Sequence, residues 1–183
     1  MMFVSLGIGA VLAIALITVV SLLTGGSNGT TTSTTLAPPA ALDGTKIAGF
    51  SLPGLNGGTV KTPWTTTKPN GTVLLFFASW CGPCQAEFPR VAKYVKTLNP
   101  ATATVVGIDA NDENGAAQRF VKKSDATFSV GVDPNGTLTS GTFLFGTLPE
   151  TVFLNKKGVV KEVIYGAVSN AELTAGIAAL QKA

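Results

Sequence analysis

Phe76-Phe77-Ala78-Ser79-Trp80-Cys81-Gly82-Pro83-Cys84 is the stretch on which the reading of this chain turns. Cys81 and Cys84 are the only cysteines among 183 residues, and the chain has no histidine. Two cysteines spaced by two residues serve as half of a zinc site or as a redox dithiol. A structural zinc is held by four ligands, mostly thiolates and imidazoles. Here carboxylates would have to fill the other positions. The zinc reading, and that of an inert structural disulfide, therefore stand behind the redox one.

The flanks give the pair a setting. Val73-Leu74-Leu75-Phe76-Phe77 is an unbroken apolar run and reads as a buried strand. Gln85 to Leu98 reads as a helix, with Phe88, Val91, Ala92, Val95 and Leu98 along one stripe. Cys81 then stands at a strand-to-helix junction. Free N–H groups and the helix dipole favour an anion there, which brings the thiolate within reach of neutral pH. Cys84 falls one turn further in, more shielded yet close enough to close a disulfide. In this reading Cys81 is the attacking thiol and Cys84 the resolving one.

Upstream, Phe3 to Leu23 is nearly continuous apolar sequence. Its 21 residues span roughly 31 Å as a helix, about one bilayer core. The run is longer than the apolar part of a cleaved signal, and no clear cleavage site follows it. Residues 1–23 are therefore expected to form an uncleaved single-pass anchor, with a cleaved signal as the alternative. Residues 24–45 are rich in Thr, Ser, Gly and Pro and cannot bury enough apolar surface to fold. They read as a disordered tether, which Thr-rich composition also makes a candidate for O-glycosylation. Residues 46–183 are left as one folded domain. All charged side chains lie from Asp43 onward, and the net charge is only +3. That is too mild to argue for nucleic acid.

Within the domain, alternating apolar positions and Gly57-Gly58 suggest a β-hairpin over 46–61, and Trp64 after it is expected to pack against the core rather than contact a ligand. Thr104 to Asp109 and Phe128 to Val132 read as strands around a helix at about 113–124, a spacing that argues for a parallel unit. Asn155-Lys156-Lys157-Gly158 is a turn joining two antiparallel strands. Ser169-Asn170-Ala171-Glu172 is a capping box that opens a last helix.

Trp80-Cys81-Gly82-Pro83-Cys84, with Phe77-Ala78-Ser79 before it and Gln85-Ala86-Glu87-Phe88-Pro89 after it, resembles the active site of the thioredoxin superfamily. Within it the match is to the extracytoplasmic TlpA/ResA/DsbE branch. The resemblance covers roughly residues 46–183. It implies an α/β thioredoxin-like fold: a central mixed sheet flanked by helices, with an N-terminal β-hairpin extension and, here, a single transmembrane helix ahead. It implies a redox-active Cys81–Cys84 disulfide without metal or organic cofactor. It implies a cis bond at Leu148–Pro149 facing the dithiol, and a docking surface of Trp80, Gly82, Pro83, Leu148 and Pro149 where an extended partner chain pairs by β-augmentation. Glu87 lies three residues after Cys84, on the same helical face. It either shuttles the proton of Cys84 or is a solvated glutamate of the first turn. Glu150, beside that docking surface, either tunes the dithiol or contacts a partner, or else faces solvent at a strand edge. Leu75 stands where thioredoxins carry a buried Asp and so supplies no proton relay.

The resulting expectation is a thiol–disulfide oxidoreductase tethered on the outer face of the cytoplasmic membrane. Reduction of protein disulfides is favoured, with apocytochrome c as the branch's best-known substrate and a membrane thiol–disulfide protein as electron donor. An oxidase for secreted chains and a non-catalytic client-binding module are the alternatives. The Pro-x-x-x-Thr-x-x-Cys pattern of two-cysteine peroxidases is absent.

Overall fold

In the computed structural model, which describes residues 42–66 and 70–182, the apolar run ahead of the dithiol is the middle strand of a five-stranded sheet. In chain order the elements are β1 (Ser51–Pro53), β2 (Thr59–Lys61), a one-turn helix α1 (Pro63–Thr66), β3 (Gly71–Phe77), α2 (Gly82–Val95), β4 (Thr104–Ala110), α3 (Asn114–Lys123), β5 (Ser129–Asp133), a π-helical turn (Thr137–Thr142), β6 (Glu150–Asn155), β7 (Val160–Tyr165) and α4 (Asn170–Leu180). The sheet runs β5-β4-β3-β6-β7. β3, β4 and β5 are parallel, whereas β6 pairs antiparallel with both β3 and β7. The mixed sheet, the parallel unit and the C-terminal antiparallel pair agree with the sequence expectation.

Every residue of β3 is buried, because both faces of the strand are covered. Val73, Leu75 and Phe77 share one cluster with Cys84 and Phe88 of α2, Val121 of α3 and Leu173 of α4. Leu74 and Phe76 meet the other cluster, with Ile108, Phe143, Phe145 and Val152. A strand buried on both faces shows no polar alternation, and this is why its sequence is an unbroken apolar run. Helix α4 sits so close to the sheet that a Cβ on Gly176 would lie 2.4 Å from the Phe153 ring.

Helix α2 begins and ends three residues earlier than the Gln85–Leu98 expected. Gly82 and Pro83 fit its first turn, where backbone N–H groups have no helical partner and proline loses nothing. At the far end Thr97 and Leu98 donate to Tyr94 and Val95, three residues back, so the chain tightens into turns. Pro89 is accommodated inside the helix.

The expected N-terminal hairpin is present, with Ser51 opposite Lys61. It covers the free edge of β5 through a Gly54–Gly131 bridge and a Leu55 N–H bond to the Val130 carbonyl at 2.9 Å. Packing begins earlier than residue 46. Leu42 is buried, the Gly44 N–H donates to Val160 O at 3.0 Å, and the Val160 N–H returns a bond to Thr45 O at 2.9 Å. Residues 42–45 thus belong to the domain, because β7's first residue offers them backbone partners. The anchor expected at 1–23 and the tether up to 41 lie outside the described residues. Among the described residues no helix is long and apolar enough to cross a membrane.

The π-helical turn has no counterpart in the sequence reading. The Asp133 carboxylate accepts the N–H groups of Leu138 and Thr139 and the Thr139 hydroxyl, which gathers the turn. Phe143 and Phe145, just beyond it, each pack against Phe76 with ring centroids 4.9 Å apart.

Phe88 is fully buried and touches the rings of Phe77, Phe120 and Phe128, which ties α2 to both neighbours. Phe88→Ala is expected to cost about 3–5 kcal/mol, measured by urea unfolding of the oxidised protein. A loss under about 1 kcal/mol would mean that the aromatic cluster does not hold α2 to the sheet.

Candidate active site

β3 leaves the core at Phe77, and four residues later Cys81 caps α2 in an extended conformation (φ −77°, ψ 111°). Its sulfur accepts the Cys84 N–H at 3.2 Å. The two sulfurs form a disulfide of 2.01 Å, with Cα atoms 5.2 Å apart. Cys84 is wholly enclosed, whereas Cys81 keeps 5% of its surface open and lines a groove of about 500 Å³. The pair is therefore asymmetric: Cys81 lines the open groove and Cys84 does not. An N–H aimed at sulfur, at a helix N-terminus, also favours a thiolate at Cys81.

Trp80, Gly82 and Pro83 form one side of the groove, and Phe145 and Leu148 line it from the segment before β6. Trp80 is 62% exposed, and its indole N–H donates to the Asn111 carbonyl at 3.2 Å. The Leu148–Pro149 bond is cis. Leu148 lines the groove, while Pro149 is buried behind it.

The two glutamates lie where the polar alternatives for them fail. Glu87 is 1% exposed, so it is not a solvated first-turn residue. Its Oε1 accepts the Val168 N–H at 2.5 Å, and its Oε2 has no partner among the described residues. Burial pushes its carboxyl up to about 7, against the opposing pull of the Val168 N–H and of Arg90. Arg90 in turn binds the Val168 carbonyl and, at 2.8 Å, Asn170 Oδ1. Glu150 is fully buried and not at a strand edge, since β6 lies between β3 and β7 and sets it between Phe76 and Tyr165. Its Oε1 accepts the Thr147 hydroxyl at 2.8 Å. Burial pushes it up to about 7, the Thr147 hydroxyl and the Gly166 N–H oppose this, and the charge of Glu87 adds to it. Glu87 shares the buried face of α2 with Cys84. Glu150 pairs with Phe76 near the end of β3 from which the dithiol loop leaves, and it feels the charge of Glu87.

Three residues at the site were not legible beforehand. Asp112 accepts both the N–H and the hydroxyl of Ser79, the latter at 3.0 Å. Asn111 receives Trp80, as above. Asp109 is fully buried, and burial first, then the charge of Asp112 and a hydrogen bond with its side chain, push its carboxyl up to about 7. One signal pointed here: Asp109 and Asp112 interrupt the sequence at the C-terminal end of a parallel strand, where open α/β sheets place their sites.

A mixed sheet whose middle strand leads into a Cys-Gly-Pro-Cys disulfide at a helix N-terminus, with the Leu148 of a cis Leu148–Pro149 bond lining the same groove as Cys81, defines a thioredoxin-like dithiol protein. The chain belongs to the AhpC/TSA family, whose sequence model matches residues 44–163. It is similar to the thiol-disulfide oxidoreductase ResA of Bacillus cereus, 32% identical over 106 residues that cover 58% of this chain and 61% of that protein. The match thus spans less than two thirds of that relative's length. The solved structure of MTB dsbF, in mixed oxidized and reduced forms, is 31% identical with a TM-score of 0.63, covering 72% of this chain and 94% of that one. A secreted Mycobacterium tuberculosis disulfide oxidoreductase homologous to E. coli DsbE is 28% identical with a TM-score of 0.61, covering 71% and 95%.

Glu87, Asp109 and Glu150 each keep a proton in the folded protein up to about pH 7. The unfolded chain loses those protons near 4.5 for Glu and 3.8 for Asp. Between those limits the folded state binds more protons, so stability falls as pH rises. The unfolding temperature of the oxidised protein is expected to drop from about pH 5 to about pH 7. Asp109→Asn should flatten the slope. A rising unfolding temperature over that window would show that these carboxyls ionise without cost.

Proposed function

We propose that this protein is a thiol–disulfide oxidoreductase that reduces protein disulfides on the outer face of the cytoplasmic membrane. The observation that carries the reading is the asymmetry of the pair: Cys81 reachable at a helix N-terminus, Cys84 enclosed one turn in. The Cys81 thiolate attacks a partner disulfide, breaks its S–S bond and releases one partner thiolate. Cys84, as thiolate, then attacks the Cys81 sulfur of the mixed disulfide. The second partner thiolate leaves, the partner is reduced by two electrons, and Cys81–Cys84 is oxidised.

Docking uses the groove. An extended partner chain lies along Leu148, held by backbone pairing, with Trp80, Gly82 and Pro83 opposite. Glu87 takes the proton of Cys84 as it becomes nucleophilic. This fits a carboxyl buried on the same helical face, with one oxygen unpartnered and an ionisation near 7. Glu150 tunes it, because its charge and that of Glu87 oppose each other.

Gly-Pro between the cysteines, as in thioredoxin, supports the reducing direction. So does the lack of any histidine to stabilise the Cys81 thiolate as in a strong oxidant. The names of the relatives support dithiol exchange. Pro149-Glu150-Thr151 resembles the cytochrome c maturation members, which makes apocytochrome c a candidate substrate. Residues 1–23 hold the domain at the membrane and the following stretch gives it reach. Electrons come from a membrane thiol–disulfide protein.

The deciding measurement is the reduction potential of Cys81–Cys84. A value near thioredoxin's, about −270 mV, supports a reductase, and one near that of DsbA, about −120 mV, overturns the direction. Cys84→Ser is expected to accumulate mixed disulfides with partner proteins, and Cys81→Ser to form none. In stopped-flow assays the resolving step should accelerate as pH rises through about 7, where Glu87 becomes a carboxylate able to accept a proton. Glu87→Gln should slow that step by about 10²-fold or more and remove this limb. An unchanged pH profile would eliminate Glu87 as the acceptor.

A further inference from the structure

Ser79, two residues before Cys81, is held from outside its own turn at each polar group it has. Its N–H and hydroxyl donate to Asp112, 33 residues away in sequence. Its carbonyl accepts the Gln85 side-chain amide at 2.8 Å. Asp112 is itself anchored, since the Glu113 N–H donates to its Oδ1 at 2.7 Å. The neighbouring Asn111 takes a left-handed conformation (φ 51°), one that Asn tolerates. Its carbonyl and the Asp112 carboxylate together grip the Ser79–Trp80 dipeptide.

We propose that Asp112 is a positioning residue for the Cys81 sulfur, acting through Ser79. The inference rests on the dithiol-exchange reading and adds what sets the poise of the pair. The Cys81 N–H donates to Ala78 O at 3.2 Å, so residues 78–81 form a turn closed on itself. Helix α2 holds that turn from one side, through Gln85, and Asp112 pins its middle to the end of β4. Two thiols close a disulfide in proportion to how well they are held together. Releasing Ser79 frees the Cys81 side of the pair while Cys84 stays locked in the helix, and the disulfide loses ground to the dithiol. Electrostatics act in the same direction. A carboxylate beside the loop disfavours a thiolate, hence disfavours the reduced form. The charge of Asp112 is felt locally: after burial, that charge and a hydrogen bond with the Asp112 side chain raise the buried Asp109 carboxyl. Restraint and charge together make the protein more reducing than its Cys-Gly-Pro-Cys sequence alone would.

The test uses the full-length protein and two variants, equilibrated against reduced and oxidised glutathione and read by thiol trapping. Asp112→Asn, which loses the charge and the acceptor facing the Ser79 N–H, is expected to shift the equilibrium toward the dithiol about tenfold, or about 30 mV for a two-electron couple. Ser79→Ala keeps the charge and loses only the hydroxyl bond, and should shift it the same way about threefold. Both should lower the unfolding temperature of the oxidised protein more than that of the reduced protein. If Asp112→Asn does not fold, Ser79→Ala decides alone. Equilibria within about 1.5-fold of wild type, with equal losses of stability in both redox forms, would make Asp112 a purely structural residue and overturn the proposal. A wild-type protein that does not exchange with glutathione would instead overturn the exchange reading, and this inference with it.

Discussion

Cys81 caps α2 with its own sulfur, and that N–H···S contact requires the strand before it and the helix after it to stay in fixed relation. β3 supplies the first half of the constraint. It is enclosed on both faces, so the strand cannot shift without opening both clusters. Phe88, against Phe77 and Phe120, supplies the second half. Between these two anchors only Ala78, Ser79 and Trp80 are left to bridge, and each polar group of Ser79 is tied. The reactive sulfur is therefore placed by packing on both sides and by hydrogen bonds in the middle.

The same region carries groups that packing alone would reject. Glu87, Asp109 and Glu150 are buried with few hydrogen-bond partners among the described residues. Burying a polar group without a partner is costly, and the usual response is to keep the neutral form. All three carboxyls are raised accordingly. They are spread over α2, β4 and β6, and all three lie in elements that meet at the dithiol's end of the sheet. A cluster that lowers stability at neutral pH, yet sits beside a proton-dependent reaction, is understandable as a site feature and hard to explain as a core feature.

Leu75 shows how a site can be rearranged without changing the fold. Its position in β3 lies beneath the dithiol, and here it is a filled apolar position with no proton to give. The polar groups come instead from α2 and from the start of β6. The segment between β5 and β6 adds the opposite wall of the groove. Asp133 gathers the π-helical turn, and Phe143 and Phe145 anchor the chain that leads to Leu148.

Much of this was readable without coordinates. The buried strand, the capping position of Cys81, the parallel unit, the hairpins and the Ser169–Glu172 box all depend on contacts within a few residues, or on an apolar pattern that any partner surface satisfies. The N-terminal limit of α2 was missed because Gly82 and Pro83 are poor helix formers everywhere except the first turn. The burial of Glu150 was missed because a glutamate's surroundings depend on which strands flank β6, and sequence spacing does not say that β6 is interior. Asp112 was missed for the same reason: its donors on Ser79 lie 33 residues away. By itself, then, the sequence determined the dithiol, its polarity and the layers that hold it, since these follow from local geometry and hydrophobic periodicity. Only the tertiary structure decided which carboxyls are buried at the dithiol's end of the sheet and what pins the loop before Cys81, because those placements exist only once distant strands have been brought into register.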